Sequence, residues 1–526
     1  MLVSKKCLNF RQICAVSELE IVFCVFSAEN NLVDSLIPFI GIMKGGGTGK
    51  RANTIFVTKI IRFGLTNFNQ VKEELRMKKF TVLMLAALLV VAFTVPASAL
   101  ENIFGGYWRT RMYVLKDFDG DNTGVKDQSL IDTRTRLYYT AKLNDNLKLV
   151  NKFEIDTVWG DPGTVTAAGQ NWGDVGTDGR DIQIKNSYAD FNLGPVNFLI
   201  GAQAFTLARG FISDEDALGA KAIWKVNDGL YLPFIYEKLK EGGSGKDANE
   251  QDAEAYIFTP VIYLSKDVKI NPYYVFFHAE DGKLIDTIGT LVDNVNVSMF
   301  GLDFDAKMGA ASLWFTGIMQ FGDVTINGAG AGAFNALAKT VKTPLVAGDT
   351  LDFASYLIAA GGKFDLGKAD IHGQAFYASG DDDYGYTDGE INGFFNTAST
   401  AYYWSEIMGG GIFDGVFPTA QGTAFNISGP TVTNIMAANL GVTVKPMDKL
   451  SITADLWWAK LAEENADNKD KLGVEADLKI TYTLVEGLTL DLVGAYLWAG
   501  DAMETNNDGK NQKNPMEVGT RLSLSF

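Results

Sequence analysis

From Gly106 to Phe526 the chain keeps returning to a two-residue period, and that period constrains its fold more than any motif does. In "GYWRTRMYV" (106–114), Trp108, Thr110, Met112 and Val114 fall on one side, and Tyr107, Arg109, Arg111 and Tyr113 on the other. "TRTRLYYTAKL" (133–143) sets Arg134, Arg136, Tyr138, Thr140 and Lys142 against Thr135, Leu137, Tyr139, Ala141 and Leu143. "LKLVNKFEIDT" (147–157) sets Lys148, Lys152, Glu154 and Asp156 against Leu149, Phe153 and Ile155. Successive side chains of a strand point to opposite faces, so each segment reads as a strand with one apolar and one charged face. In a soluble sandwich the apolar face packs on a second sheet. In a transmembrane barrel it meets lipid, and the charged face lines water.

The connections separate these two cases. Tight links ("NDN" 144–146, "LGPV" 193–196, "NDG" 227–229, "SKD" 265–267, "LGK" 366–368, "PMDK" 446–449, "VEG" 485–487) alternate with longer polar ones. The long ones fall at 115–130, 160–180, 210–219, 240–253, 280–293, 322–350, 380–430, 461–472 and 500–515. Short periplasmic turns and long outside loops produce this asymmetry in outer-membrane barrels. The expected fold is therefore all-β: a single transmembrane antiparallel β-barrel of about 18 strands, with 16 as the alternative. Strands are expected to start near 104, 131, 147, 181, 197, 219, 229, 254, 267, 294, 310, 351, 369, 431, 449, 473, 487 and 516. The stretch 294–321 carries the weakest pattern.

Residues 77–101, "MKKFTVLMLAALLVVAFTVPASALE", have the three parts of a secretory signal. Lys78 and Lys79 precede an apolar run, and Ala97-Ser98-Ala99 is a small-x-small cleavage site. The expected domains are thus an upstream extension at 1–76, a signal peptide at 77–99 and a barrel at 100–526. The extension holds all three cysteines, and its "VKEEL" just before Met77 is what a translated ribosome-binding sequence would give. Its "KGGGTGKR" (44–51) fails as a phosphate loop, having Lys44 where Gly is needed and Arg51 where Ser or Thr is needed.

Residues 1–99 hold 12 Lys/Arg and 6 Asp/Glu, so the totals of 46 and 63 leave 34 and 57 and a net charge of −23. Nucleic acid is an unsuitable partner for such a chain, because affinity for phosphates rests on Lys and Arg. Without cysteine the barrel has no disulfide, thiolate nucleophile or Cys-zinc site. No catalytic residue, metal or cofactor is expected. The two histidines, His278 and His372, have no evident nucleophile partner and read as polar lumen residues, His372 sharing its face with Asp370 and Gln374.

The last segment, "MEVGTRLSLSF", alternates cleanly and stops on Phe526. A final strand ending in Phe resembles the assembly signal of outer-membrane barrels. With "ENIFGGYWRTRMY" (101–113) and "KNSYADFNLGPVNFLIGAQAF" (185–205), the chain resembles a Gram-negative porin of the type found in sulfate- and metal-reducing bacteria. The resemblance implies export through the general secretory pathway and residence in outer-membrane lipid. It implies insertion by the barrel-assembly machinery through the C-terminal strand, and passive diffusion of small hydrophilic solutes or ions. Whether the barrel forms a homotrimer is left open.

A barrel of 16 to 18 strands leaves an aqueous channel whose lining charges set selectivity. On this register Arg109, Arg111, Arg134, Arg136, Lys142, Lys148, Lys152, Glu154, Asp156 and Arg521 all point inward, because the first strand pairs with both the second and the last. The result is a basic wall, suited to anionic or dipolar solutes, or else to keeping a wide wall wet. Asp214, Glu215 and Asp216, in the short loop after the fifth strand, are candidates for a constriction facing it. The long 380–430 loop, opened by "GDDDYGYTDGE" (380–390), is the alternative constriction.

Aromatic pairs (Tyr138–Tyr139, Tyr273–Tyr274, Tyr402–Tyr403–Trp404, Trp457–Trp458, with Trp159) fit interface girdles at strand ends. A sugar-stacking slide, hence a carbohydrate-specific channel, is the other reading. A plugged or adhesive barrel is a third, in which the loops 322–350 (with a short helix) and 380–430 fill the pore. The Asp-rich loops at Asp117, Asp119 and Asp121 and at Asp381–Asp383 are alternatives for calcium, but "DFDGDNTG" lacks the closing Glu, and solvated acidic loops are expected.

Overall fold

The computed structural model describes residues 100–118, 127–160, 182–241, 252–280, 291–338, 341–383, 385–396, 402–413, 432–465, 467–503 and 513–526. The expected extension and signal peptide, and Asp119 and Asp121, lie outside these residues.

Eighteen antiparallel staves close into a barrel. They are β1 (Glu101–Lys116), β2 (Gln128–Asn144), β3 (Leu147–Val158), β4 (Gln183–Leu193), β5 (Val196–Leu207) and β6 (Ser213–Asn227). Next come β7 (Leu230–Lys240), β8 in two parts (Ala253–Phe258 and Val261–Ser265), β9 (Val268–Glu280), β10 (Val292–Met308) and β11 (Ala311–Ile326). The last are β12 (Thr350–Asp365), β13 (Ala369–Ala378), β14 (Ile435–Met447), β15 (Leu450–Leu461), β16 (Lys471–Val485), β17 (Leu488–Ala499) and β18 (Met516–Ser525). The break in β8 falls at Pro260, which has no N–H to give to the ladder. A two-residue segment, Glu390–Ile391, pairs parallel to β12 outside the ring of staves.

Each stave pairs with its sequence neighbour, and the ring closes where β1 meets β18 as well as β2. Closure leaves no backbone edge unpaired, as a lipid setting requires. The expected strand starts match all eighteen, most within three residues. Gly309-Ala310, inside the weakly patterned stretch, is an eighth tight turn, with Gly309 at φ 61 where a side chain would be strained.

The period-2 alternation resolves into outside and inside. Phe104, Met112, Leu137, Ile200, Phe234, Phe300, Met319, Leu440 and Val518 are exposed on the outer face and form an apolar belt. No helix among the described residues is long and apolar enough to cross a membrane. The inner face is polar along β1–β4, but apolar at the long-loop end of β9–β12, where Val275, Phe277, Val297, Met299 and Leu357 are fully covered. That cover comes from loop segments folded into the barrel.

The aromatic pairs are split by the same alternation. Trp457 is 3% exposed, inside, while Trp458 is 43% exposed, outside. Tyr273 is buried inside and Tyr274 lies on the outer face next to Phe300. Girdle placement therefore fits only one member of each strand pair, and it does not fit Tyr402 or Trp404, which lie on the inward loop.

Candidate functional site

The inner wall of β1–β3 is a ladder of cross-strand charge pairs. At its top, Arg521 and Arg111 stand opposite each other, flanked by Asp491 and Asp132. Arg111 reaches Asp132 at 2.6 Å, and Arg521 reaches Asp491 at 2.8 Å. One rung down, Arg109 stands beside Arg134, which grips Asp156 through Nε and Nη2, both at 2.7 Å. On the next rung Arg136 pairs with Glu154. Below these, Lys152 lies 5.3 Å from the centre of the Tyr138 ring, Lys148 pairs with Asp190 at 3.0 Å, and Lys142 pairs with Asp145 at 2.9 Å and Glu101 at 3.4 Å. A two-pronged arginine–carboxylate pair holds both groups in a fixed plane.

The register puts these ten residues on one face of β18, β1, β2 and β3. Sequence reasoning missed Asp132, Asp190 and Asp491, which interleave the wall with negative charge. Asp132 was readable, being two residues before Arg134 and so on the same face. Asp491 was not, because its place beside Arg521 depends on the β17–β18 register. Exposure is graded: Arg109 and Arg111 are buried, whereas the Arg134, Arg136 and Lys148 side chains are 22, 24 and 45% exposed.

The constriction candidates need correction. Asp214, Glu215 and Asp216 are in β6, not in a loop. A strand cannot present three consecutive residues to one side. Glu215 stands opposite Phe205, and Asp216 reaches the inner wall, accepting at 2.6 Å from Asn186, which faces Lys152 in the β3–β4 ladder. Thr206 donates to Asp214 at 2.6 Å, and Lys185 pairs with Asp216 at 2.6 Å. The acidic run "SDED" reads as a loop by composition, and the strand continues through it.

The β5–β6 link is instead the short turn Ala208–Gly210 with Phe211 and Ile212, and it folds inward. Ala208, Arg209 and Gly210 have φ of 51, 59 and 95. Two non-glycine residues in this region cost about 1 kcal/mol or more each. Docking offsets that cost. Arg209 crosses to β10 and β11, donating to Thr316 Oγ1 at 3.0 Å and Asp305 at 2.9 Å, with its guanidinium 5.0 Å from the Trp314 ring centre.

The long link between β13 and β14, the alternative constriction, also folds into the barrel. Phe395 exchanges two backbone hydrogen bonds with the Gln320 side chain, at 2.8 and 2.6 Å. Tyr402 stacks on Phe211 at 3.8 Å between ring centres and donates to Gln374 at 2.5 Å. Trp404 packs edge-on against Trp457, and Phe413 stacks on Tyr113. Arg111 donates to the Ile412 carbonyl at 2.8 Å, so the link spans from β11 to the charged ladder.

One buried carboxylate anchors its middle. Glu475 of β16 accepts the N–H of Ile407 at 2.6 Å, the N–H of Met408 at 2.8 Å and the Ser405 hydroxyl at 3.1 Å. Glu406, whose carboxyl burial pushes upward in pKa, accepts the N–H of Ile412 at 2.8 Å. A short helix, α1 (Gly328–Leu337), lies in the 322–350 loop as expected, capped by Asn327 and packed through Phe334 on Tyr386.

The start of the long link carries a buried carboxyl. Asp381 accepts N–H groups from Asp383 at 2.9 Å and Asn392 at 2.7 Å, yet burial pushes its pKa up to about 6. Because the docked pKa lies above the free value, docking is strongest below about pH 4 and weakens as pH rises through 6, by on the order of 2–3 kcal/mol. Tryptophan emission should shift red over that range as Trp404 leaves its apolar setting. Asp381→Asn should flatten the profile, and an unchanged profile in that variant would refute the assignment.

The histidines part company. His372 is on the inner face, between Asp370 at 2.9 Å and Asp455 at 3.1 Å. His278, expected in the lumen, stands on the outer face at the long-loop end, bonded to Asn296 at 2.7 Å. The reason is parity: Val275 and Phe277 take the inner face of β9, so His278 takes the other. Among the described residues no group of three or more His, Cys, Asp or Glu is placed to hold a metal ion.

No protein-family model matches the chain, and no curated protein matches it. Among solved structures it is similar to Pseudomonas aeruginosa OccK8 (OprE), with TM-score 0.48 and 10% identity over 81% of this chain and 98% of that one. It is similar to Acinetobacter baumannii OccAB1, with TM-score 0.48 and 12% identity over 81% and 96%. A third is P. aeruginosa OccK11 (OpdR), with TM-score 0.46 and 11% identity over 80% and 96%.

Proposed function

We propose that the protein is an outer-membrane channel for passive diffusion of small hydrophilic solutes or ions, and not an enzyme. The observation that carries this reading is the pairing of an apolar outer belt with a charged inner ladder in a closed barrel of eighteen staves. The tight turns then face the periplasm and the long links the exterior. Export by a signal at 77–99, insertion through the strand ending at Phe526, and kinship with porins of sulfate- and metal-reducing bacteria belong to the same reading. So does a homotrimer as its assembled form.

The ladder makes the wall dipolar as much as basic. Arg521 and Arg111 lie between Asp491 and Asp132 on one rung, and Arg134 and Arg136 face Asp156 and Glu154 on the next two, so the field runs across the strands within each rung. Anionic or dipolar solutes suit the half-buried Arg134 and Arg136, which are open to the lumen more than Arg109 and Arg111. Replacing Arg109, Arg111, Arg134 and Arg136 by Ser leaves the carboxylates unpaired, and reversal potentials in planar bilayers should move toward cations. An unmoved ion preference would end the selectivity assignment. A plugged barrel is the second reading, favoured by the apolar packing of the inward links, and it predicts no single-channel current.

A further inference from the structure

A cavity of about 630 Å³ lies on the inner wall of β8–β14, toward the tight-turn end and away from the charged ladder. Arg209 and Tyr402, from the two inward links, reach the rungs that border it. Two adjacent rungs line it. The upper carries Lys269, Asp305, Trp314, Gln374 and Asn439, and the lower carries Lys307, Ser312, Lys363 and His372. This volume is in the range of small-molecule sites, and its lining joins an indole to neutral amide donors and amines.

Its charge runs against that of the chain. Lys266, Lys269, Lys307 and Lys363 line it against Asp267 and Asp305, in a protein of net charge −17. Asp305 is already engaged twice, by Arg209 at 2.9 Å and Lys269 at 2.9 Å. Lys363 has only the long contact to Asp370, at 3.8 Å, and Asp370 is closer to His372. Lys307 has no ion-pair partner among the described residues. The indole of Trp314 lies flat over Gly361, where any Cβ would come within 2.5 Å of the ring, so the wall itself fixes its position.

We propose that this cavity is a second solute station, below the constriction, for small hydroxylated organic acids. Lys363 and Lys307 bind the carboxylate, Gln374, Asn439 and Ser312 bind hydroxyls, and Trp314 covers the carbon skeleton. The proposal rests on the channel reading for its role in transport, but not for binding itself.

Gluconate and its neutral counterpart glucose are the probes. In planar bilayers, millimolar gluconate added on the tight-turn side should interrupt the open-channel current, and glucose should do so far less often. Loss of a charge-assisted hydrogen bond in Lys363→Gln should lower the apparent affinity about tenfold. Lys307→Gln, at an exposed position, should act in the same direction and controls for folding. Normal current without gluconate interruptions, or equal effects of glucose and gluconate, would overturn the station and leave the channel standing. If no current is seen, titration calorimetry on detergent-solubilised protein decides binding alone: heat with gluconate, weakened in Lys363→Gln, supports the site, and its absence refutes it.

Discussion

Replacing Glu475 by alanine should release the long inward link and widen the pore. The side chain accepts hydrogen bonds from Ser405, Ile407 and Met408, and the last two residues are buried. Alanine removes all three bonds and strands two buried N–H groups. At about 1 kcal/mol or more per bond, the loss is roughly 3 kcal/mol, or about a hundredfold in the docked-to-released ratio. Single-channel conductance should therefore rise, with larger fluctuations as the link leaves and returns. Glu475→Gln keeps the shape and one acceptor oxygen, so its effect should be smaller. Wild-type conductance in Glu475→Ala would show that the link is held elsewhere or does not obstruct the path.

The second large effect is expected at Arg209. Its side chain donates to Thr316 and Asp305, and to the Phe304 carbonyl at 3.2 Å, and these bonds hold a turn with two left-handed non-glycine residues. Arg209→Ala removes the anchor and keeps the strain, so the turn should relax away from β10 and β11. Bonds to a guanidinium contribute about 1.5–3 kcal/mol each, more than the strain they offset. Conductance should rise and ion preference should move toward cations, since Asp305 is left with Lys269 alone. Arg209→Gly separates the causes: it removes the same bonds but relieves the backbone, so it should open the turn less. Arg209→Lys keeps the charge without the planar fork and should fall between wild type and alanine. Equal currents in all three variants would remove Arg209 from the constriction.

Much of the barrel was legible because its signal is local. A strand half in lipid and half in water must alternate, and Trp108 against Arg109, or Leu137 against Arg136, carries that requirement in adjacent residues. The facing of Arg109 through Asp156 followed from the same parity. What stayed hidden depends on pairs far apart in the chain. Nothing near Tyr402 shows that it stacks on Phe211, and nothing in "SEIMGG" shows that its backbone is held by Glu475. The run Asp214–Asp216 misled for a related reason. Composition marks solvent contact, but at the rim of a barrel a strand also meets solvent, so acidity there does not mean a loop. His278 followed the same logic on the outer face.

The terminal residue sets a condition on how the barrel comes into being. Phe526 lies on β1, its ring where a Cβ on Gly106 would come within 2.4 Å, and its backbone exchanges bonds with Gly106 at 2.9 and 3.2 Å. Nearby, Tyr107 and Ser523 meet although 416 positions separate them. Every other seam between staves joins neighbours in sequence, so among the described residues this contact closes the longest loop. Closure over so long a separation is slow, and a sheet without it has two bare edges that invite pairing with other chains. A bulky residue at Gly106 should hinder this seam and favour open, aggregation-prone sheets, seen as a loss of heat-resistant folded protein on gels.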